Sequence, residues 1–163
     1  MAGTAGNALA PRTWIFQANP NKYRILKSLE SEVEEYWNLN QHAKDVHIGD
    51  RVLIWISGPD AGIYAVGTVT TEPVMMPDSP SGLEYWLLMR EGRRPKPRVL
   101  VRYDRKLLGR PLLKALIRND PELWDLEILH FPRGTNFPLA DHQWSAIAAW
   151  LDDSPVDDTR KKA

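Results

Sequence analysis

The sequence predicts an α+β domain built on a small, strongly curved mixed sheet, an open β-barrel flanked by short helices. Two observations carry that reading. Short apolar runs recur between clusters of Gly, Pro, Asn and Asp. The long crossover helices that a doubly wound parallel sheet needs are missing from the middle of the chain. With 163 residues there is room for one compact domain and not comfortably for two. The hydrophobic fraction of 43% and the charged fraction of 26% are those of an ordinary globular protein.

Taken in order, residues 1–12 read as a flexible leader, 13–151 as the domain and 152–163 as a tail or linker. Trp14–Gln17 alternates apolar and polar residues and reads as a strand ending at Asn19-Pro20-Asn21. Tyr23, Leu26 and Leu29 fall at helical spacing, so a short helix follows within Lys22–Leu29. Ser31-Glu-Val-Glu has the spacing of a capping box. The run Glu32–Trp37 fits either a second short helix or an extended segment, and its pattern does not decide. His47–Asp50 is a turn into the apolar strand Arg51–Ile56. Gly58-Pro59-Asp60-Ala61-Gly62 then reverses the chain into Gly62–Val69, making a hairpin.

Beyond the hairpin, Asp78–Gly82 is a loop, Tyr85–Met89 a strand and Arg90–Pro97 another loop. Arg98–Tyr103 is a strand, with Val99, Val101 and Tyr103 inside and basic residues outside. Arg110–Ile117 has a helical pattern with Pro111 at a first-turn position. Leu126–Leu129 reads as a short strand and Pro132–Phe137 as a tight loop. Ala140–Leu151 is a helix whose buried stripe is Trp144, Ile147, Ala148 and Leu151.

Charge is balanced overall, with 21 basic and 21 acidic residues, but it is unevenly spread. Between Arg90 and Lys114 ten basic residues face two acids, so that segment is +8 and the remainder −8. A basic face opposite acidic ones lets a neutral protein meet phosphates in one orientation. Arg90, Arg93, Arg94, Lys96, Arg98 and Arg102 are therefore the candidate phosphate contacts. Arginine dominates the stretch, which suits forked contacts to phosphate.

Catalytic signatures are absent from the sequence. His42, His47, His130 and His142 lack metal-ligand spacing. No nucleophile elbow, phosphate loop or dinucleotide fingerprint occurs. Asp78 with Glu91-Gly-Arg93 superficially resembles a restriction-nuclease carboxylate pattern, but the lysine is missing. With no cysteine there are no disulfides or thiolate metal sites, which fits a reducing cytoplasm. No catalytic residue, metal or cofactor is expected, and the longest apolar runs are too short to cross a membrane.

Seven tryptophans remain to be placed. Trp124, Trp144 and Trp150 read as core packing and Trp14 as core or rim. One of Tyr85 and Trp86 must face outwards if both lie in a strand. Trp37 stands among polar groups in Tyr36-Trp-Asn-Leu-Asn40, and Trp55 closes a strand just before Ser57-Gly58. Both are candidate stacking walls.

Trp14-Ile-Phe-Gln-Ala-Asn-Pro20, Tyr36-Trp-Asn-Leu-Asn40 and the Arg51–Gly67 hairpin together resemble the EVE domain, a PUA-like family related to the YTH readers of methylated adenine. The resemblance covers about residues 13–151. It implies a base cage in which Trp37 is one wall and Asn38 touches the base edge. Gln17 and Asn19 line the floor, and Trp55, Ser57 and Gly58 form the hairpin beneath. Trp86 or Tyr85 carries over as the second wall, and Asn136 from Gly134-Thr-Asn-Phe137 joins the same pocket. The implied function is non-catalytic reading of a modified base in DNA: methylated or hydroxymethylated cytosine, or N6-methyladenine. A reader of methylated RNA or tRNA is the alternative, and a small-molecule sensor or hydrolase using the same pocket a further one. The resemblance also admits a fused or associated nuclease or AAA+ motor, as in McrB-type restriction systems.

Overall fold

The computed structural model describes residues 10–153. The leader expected over 1–12 and the tail expected over 152–163 therefore lie almost wholly outside the described residues. Eight strands form one mixed sheet: β1 (Thr13–Ala18), β2 (Glu34–Asn38), β3 (Arg51–Ile56), β4 (Gly62–Val69), β5 (Val74–Met76), β6 (Lys96–Lys106), β7 (Leu112–Leu113) and β8 (Asn136–Pro138). Among the described residues six helices accompany them: α1 (Ile25–Ser31), α2 (Pro80–Leu83), α3 (Met89–Arg93), α4 (Lys114–Ile117), α5 (Glu127–His130) and α6 (Asp141–Asp153).

The main path is β2-β6-β4-β3-β1-β8, with β5 added to β6 and β7 to β4. Among the described residues only β1 and β3 run parallel, and every other pair is antiparallel. The hairpin β3–β4 forms as its sequence dictates. Gly58, at φ 119°, takes a left-handed conformation that a side chain would oppose.

The sheet separates two cores. On β1 and β3, Trp14, Phe16, Val52, Ile54 and Ile56 face one way and pack with Trp37, Val99 and Val101. Ile15, Leu53 and Trp55 face the other way, beneath Ile117, Ile128 and Ile147 from the helices. Alternation along β1 and β3 thus assigns their apolar residues to one of two layers. It places Trp55, only 2% exposed, in the helix-covered layer and away from any cleft.

The two ends of the sheet path, β2 and β8, do not form a ladder. Side chains stitch them instead. Asn136 Oδ1 accepts from the Asn40 and Gln41 amides (2.9 and 3.2 Å), and its Nδ2 donates to the Asn38 carbonyl at 3.0 Å. Gln41 Oε1 returns the contact by accepting from the Thr135 and Asn136 amides at 2.8 and 3.0 Å. The result is an open barrel with a seam.

Several local expectations are corrected. Tyr85–Met89 is not a strand: Trp86 makes one isolated bridge to Tyr23, and α3 begins at Met89. Leu126–Leu129 falls in the turn of α5, because a short apolar run fits a strand or a helix equally. Ser31 ends α1 rather than capping a second helix, and the undecided run becomes β2. The loop expected over Pro132–Phe137 closes into β8 at Asn136. Trp124 is exposed rather than core. Trp144 is half-buried, with the Arg51 guanidinium 4.0 Å from its ring centre.

Candidate base-binding cleft

A cleft of about 500 Å³ opens where the seam begins, within the size range of small-ligand sites. Trp37 from β2 forms its floor. It is 7% exposed, packs against Phe16 with ring centres 6.2 Å apart, and donates its indole N–H to the Tyr103 hydroxyl at 3.0 Å. Trp86 forms a side wall, steered by its indole N–H donating to Asp78 Oδ2 at 2.7 Å. Tyr23 meets Trp86 edge-on, ring centres 5.1 Å apart, and also lines the cleft.

Beside Trp37, on the same face of β2, lies a buried carboxyl that also lines the cleft. Glu35 accepts from the hydroxyls of Tyr23 (2.6 Å), Ser28 (2.9 Å) and Tyr103. Burial raises the Glu35 pKa, an effect that those three hydroxyl donors oppose. Burial, and then the Glu35 charge, hold both tyrosine hydroxyls far above their ordinary range, so they remain donors.

The polar side chains of the cleft are fixed by their partners. Gln17 Nε2 donates to the carbonyls of Pro132 and Gly134 at 2.9 and 2.7 Å, which leaves Oε1 as an acceptor. Asn38 Oδ1 accepts from the Arg98 guanidinium, which has no acceptor of its own, and this leaves Nδ2 as a donor. Asn19 Oδ1 is held by the Asn21 amide at 2.9 Å, and Ser57 Oγ donates weakly to the Ala18 carbonyl at 3.4 Å. Gln17, Asn19, Trp37, Asn38, Ser57 and Trp86 all line the cleft. Trp55 and Asn136 do not. Trp55 has the wrong strand parity, and Asn136 is consumed in stitching the seam.

The EVE domain profile matches residues 12–150 of this chain. The chain belongs to the EVE domain family. Its fold recurs in human THYN1 in complex with 5-methylcytosine-containing DNA, at 13% identity and a TM-score of 0.64, covering 88% of this chain and 99% of that one. A hypothetical protein from Leishmania major aligns with a TM-score of 0.66 at 14% identity, over 88% of this chain and 96% of that one. An Agrobacterium tumefaciens protein aligns at 0.62 and 18% identity, over 90% and 99%. At such identities the likeness establishes the fold, an α+β PUA-like open barrel. No curated relative matches the chain.

The basic residues of this EVE domain divide by environment. Arg90, Arg93 and Arg94 are exposed on α3 and its end, beside the mouth. Lys96 lines the cleft, and burial together with the neighbouring Arg94 and Arg98 charges lowers its pKa. Arg102 lies four residues along β6 from Arg98, paired with Asp104 at 3.0 Å, and does not line the cleft. Arg98 is the correction. It is 1% exposed and donates to the carbonyls of Met76 (2.9 Å), Gly92 (3.2 Å) and Arg94 (3.1 Å) as well as to Asn38. Arg98 thus borders the cleft, but a guanidinium so enclosed and already bound to four acceptors organises the site instead of reaching a phosphate at the surface.

The sequence did not single out Lys22, Tyr23, Glu35 or Arg133 as cleft residues, yet all four line it. Lys22 and Arg133 are exposed and add positive charge at the mouth. Isolated basic residues in loops carry no sequence signal that would have found them. Among the described residues no group of His, Asp and Glu is arranged to hold a metal, and no helix is long and apolar enough to cross a membrane.

Proposed function

We propose that this domain is a non-catalytic reader of a modified base in DNA, with a methylated cytosine flipped out of the duplex into the cleft. One observation carries the reading: an indole floor beside two amides whose leftover groups are an acceptor (Gln17 Oε1) and a donor (Asn38 Nδ2), beneath a basic mouth. Cytosine has the matching edge, an amino donor beside ring and carbonyl acceptors. Stacking contributes about 1–3 kcal/mol per base. Lys22, Lys96, Arg93, Arg94 and Arg133 supply the sequence-independent attraction to phosphate. Family membership and the fold shared with THYN1, whose structure is with 5-methylcytosine-containing DNA, support the same reading.

The test is a titration of matched DNA duplexes carrying cytosine, 5-methylcytosine, 5-hydroxymethylcytosine or N6-methyladenine, with RNA counterparts. Methylated cytosine in DNA should bind most tightly, and Asn38→Ala should erase the preference while leaving binding to plain DNA unchanged. Equal binding of every duplex, or a preference confined to RNA, defeats the proposal.

A further inference from the structure

Leu87, Leu88 and Met89 are 44%, 53% and 45% exposed, three consecutive large apolar side chains with no covering layer. They occupy the stretch between two cleft-lining residues, Trp86 and Glu91, and none of the three lines the cleft itself. They therefore form an apolar lip on its rim.

The lip is anchored on both flanks. Leu87 N–H donates to the Lys22 carbonyl at 3.0 Å, and the Tyr85 carbonyl accepts from Arg24 N–H at 2.8 Å. On the far side the Gly92 carbonyl accepts from the Asp78 amide at 2.8 Å and from the buried Arg98 guanidinium at 3.2 Å. A Cβ at Gly92 would stand 2.5 Å from the Trp86 ring, so α3 and the side wall are pressed together. Arg90 and Arg93 follow on the same short helix and Arg94 caps its end, and all three are exposed. The surface thus combines a rigid apolar tip, a flanking phosphate-binding charge and an adjoining slot.

An extruded base leaves its neighbours in the stack unsupported, and apolar side chains inserted at such a step are a general means of holding a duplex open. We infer that the Leu87–Met89 lip is a wedge that inserts into the double helix beside the flipped nucleotide, with Leu88 at its tip, while the adjacent arginines grip the strand. This rests on the base-reading function proposed above. The wedge acts only on the step of opening paired DNA, so its contribution vanishes for a base that is already unpaired.

The experiment measures affinity by fluorescence anisotropy for one 5-methylcytosine sequence and its unmodified counterpart, each in two formats, fully paired duplex and single strand. Wild-type protein is compared with Leu88→Ser and with the triple variant Leu87→Ser, Leu88→Ser, Met89→Ser. Leu116→Ser, at a site 57% exposed on the helix-covered side, serves as the control. The lip variants should lose about tenfold or more on the duplex and stay within about twofold on the single strand, with thermal stability and the control unchanged. Equal losses in both formats, or no loss on the duplex, overturn the wedge and leave base reading standing. Absence of any preference for 5-methylcytosine by wild-type protein in either format overturns base reading and the wedge with it. Wild-type binding to anionic phosphatidylserine vesicles that the lip variants lose, with duplex affinity intact, reassigns the lip to a membrane surface.

Discussion

Replacing Arg98 with alanine separates a buried organiser from a phosphate contact, because the two roles predict opposite readouts. The substitution removes a donor from three backbone carbonyls and from Asn38 Oδ1, of which the Gly92 carbonyl keeps another, the Asp78 amide, all within a site where the guanidinium is 1% exposed. Each buried acceptor left without a donor costs about 1–3 kcal/mol. Water entering the vacated space recovers part of that, which leaves about 3–5 kcal/mol, the range for removing one partner of a buried charged network. For a domain of this size, about 2–4 °C per kcal/mol gives a fall in Tm of roughly 6–20 °C by circular dichroism. Arg98→Met, which restores bulk without donors, should fall nearly as far. Arg93→Ala should shift stability by no more than about 0.5 kcal/mol. It should instead flatten the slope of log affinity against log salt by about one. An Arg98→Ala protein that melts within about 2 °C of wild type and loses salt dependence would refute the reasoning, since its guanidinium would then face solvent.

Two further outcomes are expected. Glu35 has its pKa raised by burial, so the native state holds that proton more tightly than the unfolded chain does. Its contribution is therefore fully present below the ordinary glutamate range and is lost as pH rises through the raised value. The stability of wild type relative to Glu35→Gln should accordingly decline with rising pH in denaturant titrations; a flat or rising difference contradicts the burial argument. Asn136→Ala should destabilise the protein by about 1–3 kcal/mol through the orphaned Asn40 and Gln41 amides. Hydrogen exchange at those two amides should quicken while β3 and β4 amides hold, and uniform exchange across the sheet would show that the seam is not stitched locally.

Most of the barrel could be read from the residues, because the hairpin and β6 follow simple alternation and glycine punctuation. Part of the cleft lining was also legible, largely through the family resemblance: Trp37, expected as a wall, and Gln17, Asn19, Asn38, Ser57 and Trp86 all reach the same space. Trp55 was misplaced for a definite reason. A strand covered on both faces is apolar throughout, so nothing in Arg51–Ile56 says which layer each side chain joins. Arg98 was misread because burial of a cation depends on carbonyls contributed by Met76, Gly92 and Arg94, and residue type alone cannot report that convergence. Asn136 acts on residues 95–98 positions away in the chain, beyond the reach of any local pattern. The Leu126–Leu129 turn shows the complementary limit, where four apolar residues are too few to reveal a period.

The hydroxyl–carboxyl relay beside Trp37 has a consequence for anyone wishing to retool the pocket. Tyr103 hangs Trp37 from one oxygen of Glu35, while Tyr23, bonded to the other, abuts Trp86. Both cleft-lining indoles are thus linked to one acidic hub. Widening the slot for a bulkier guest by trimming a single tryptophan would tug on its counterpart through that hub, so altered selectivity is better sought by changing both ends of the linkage together.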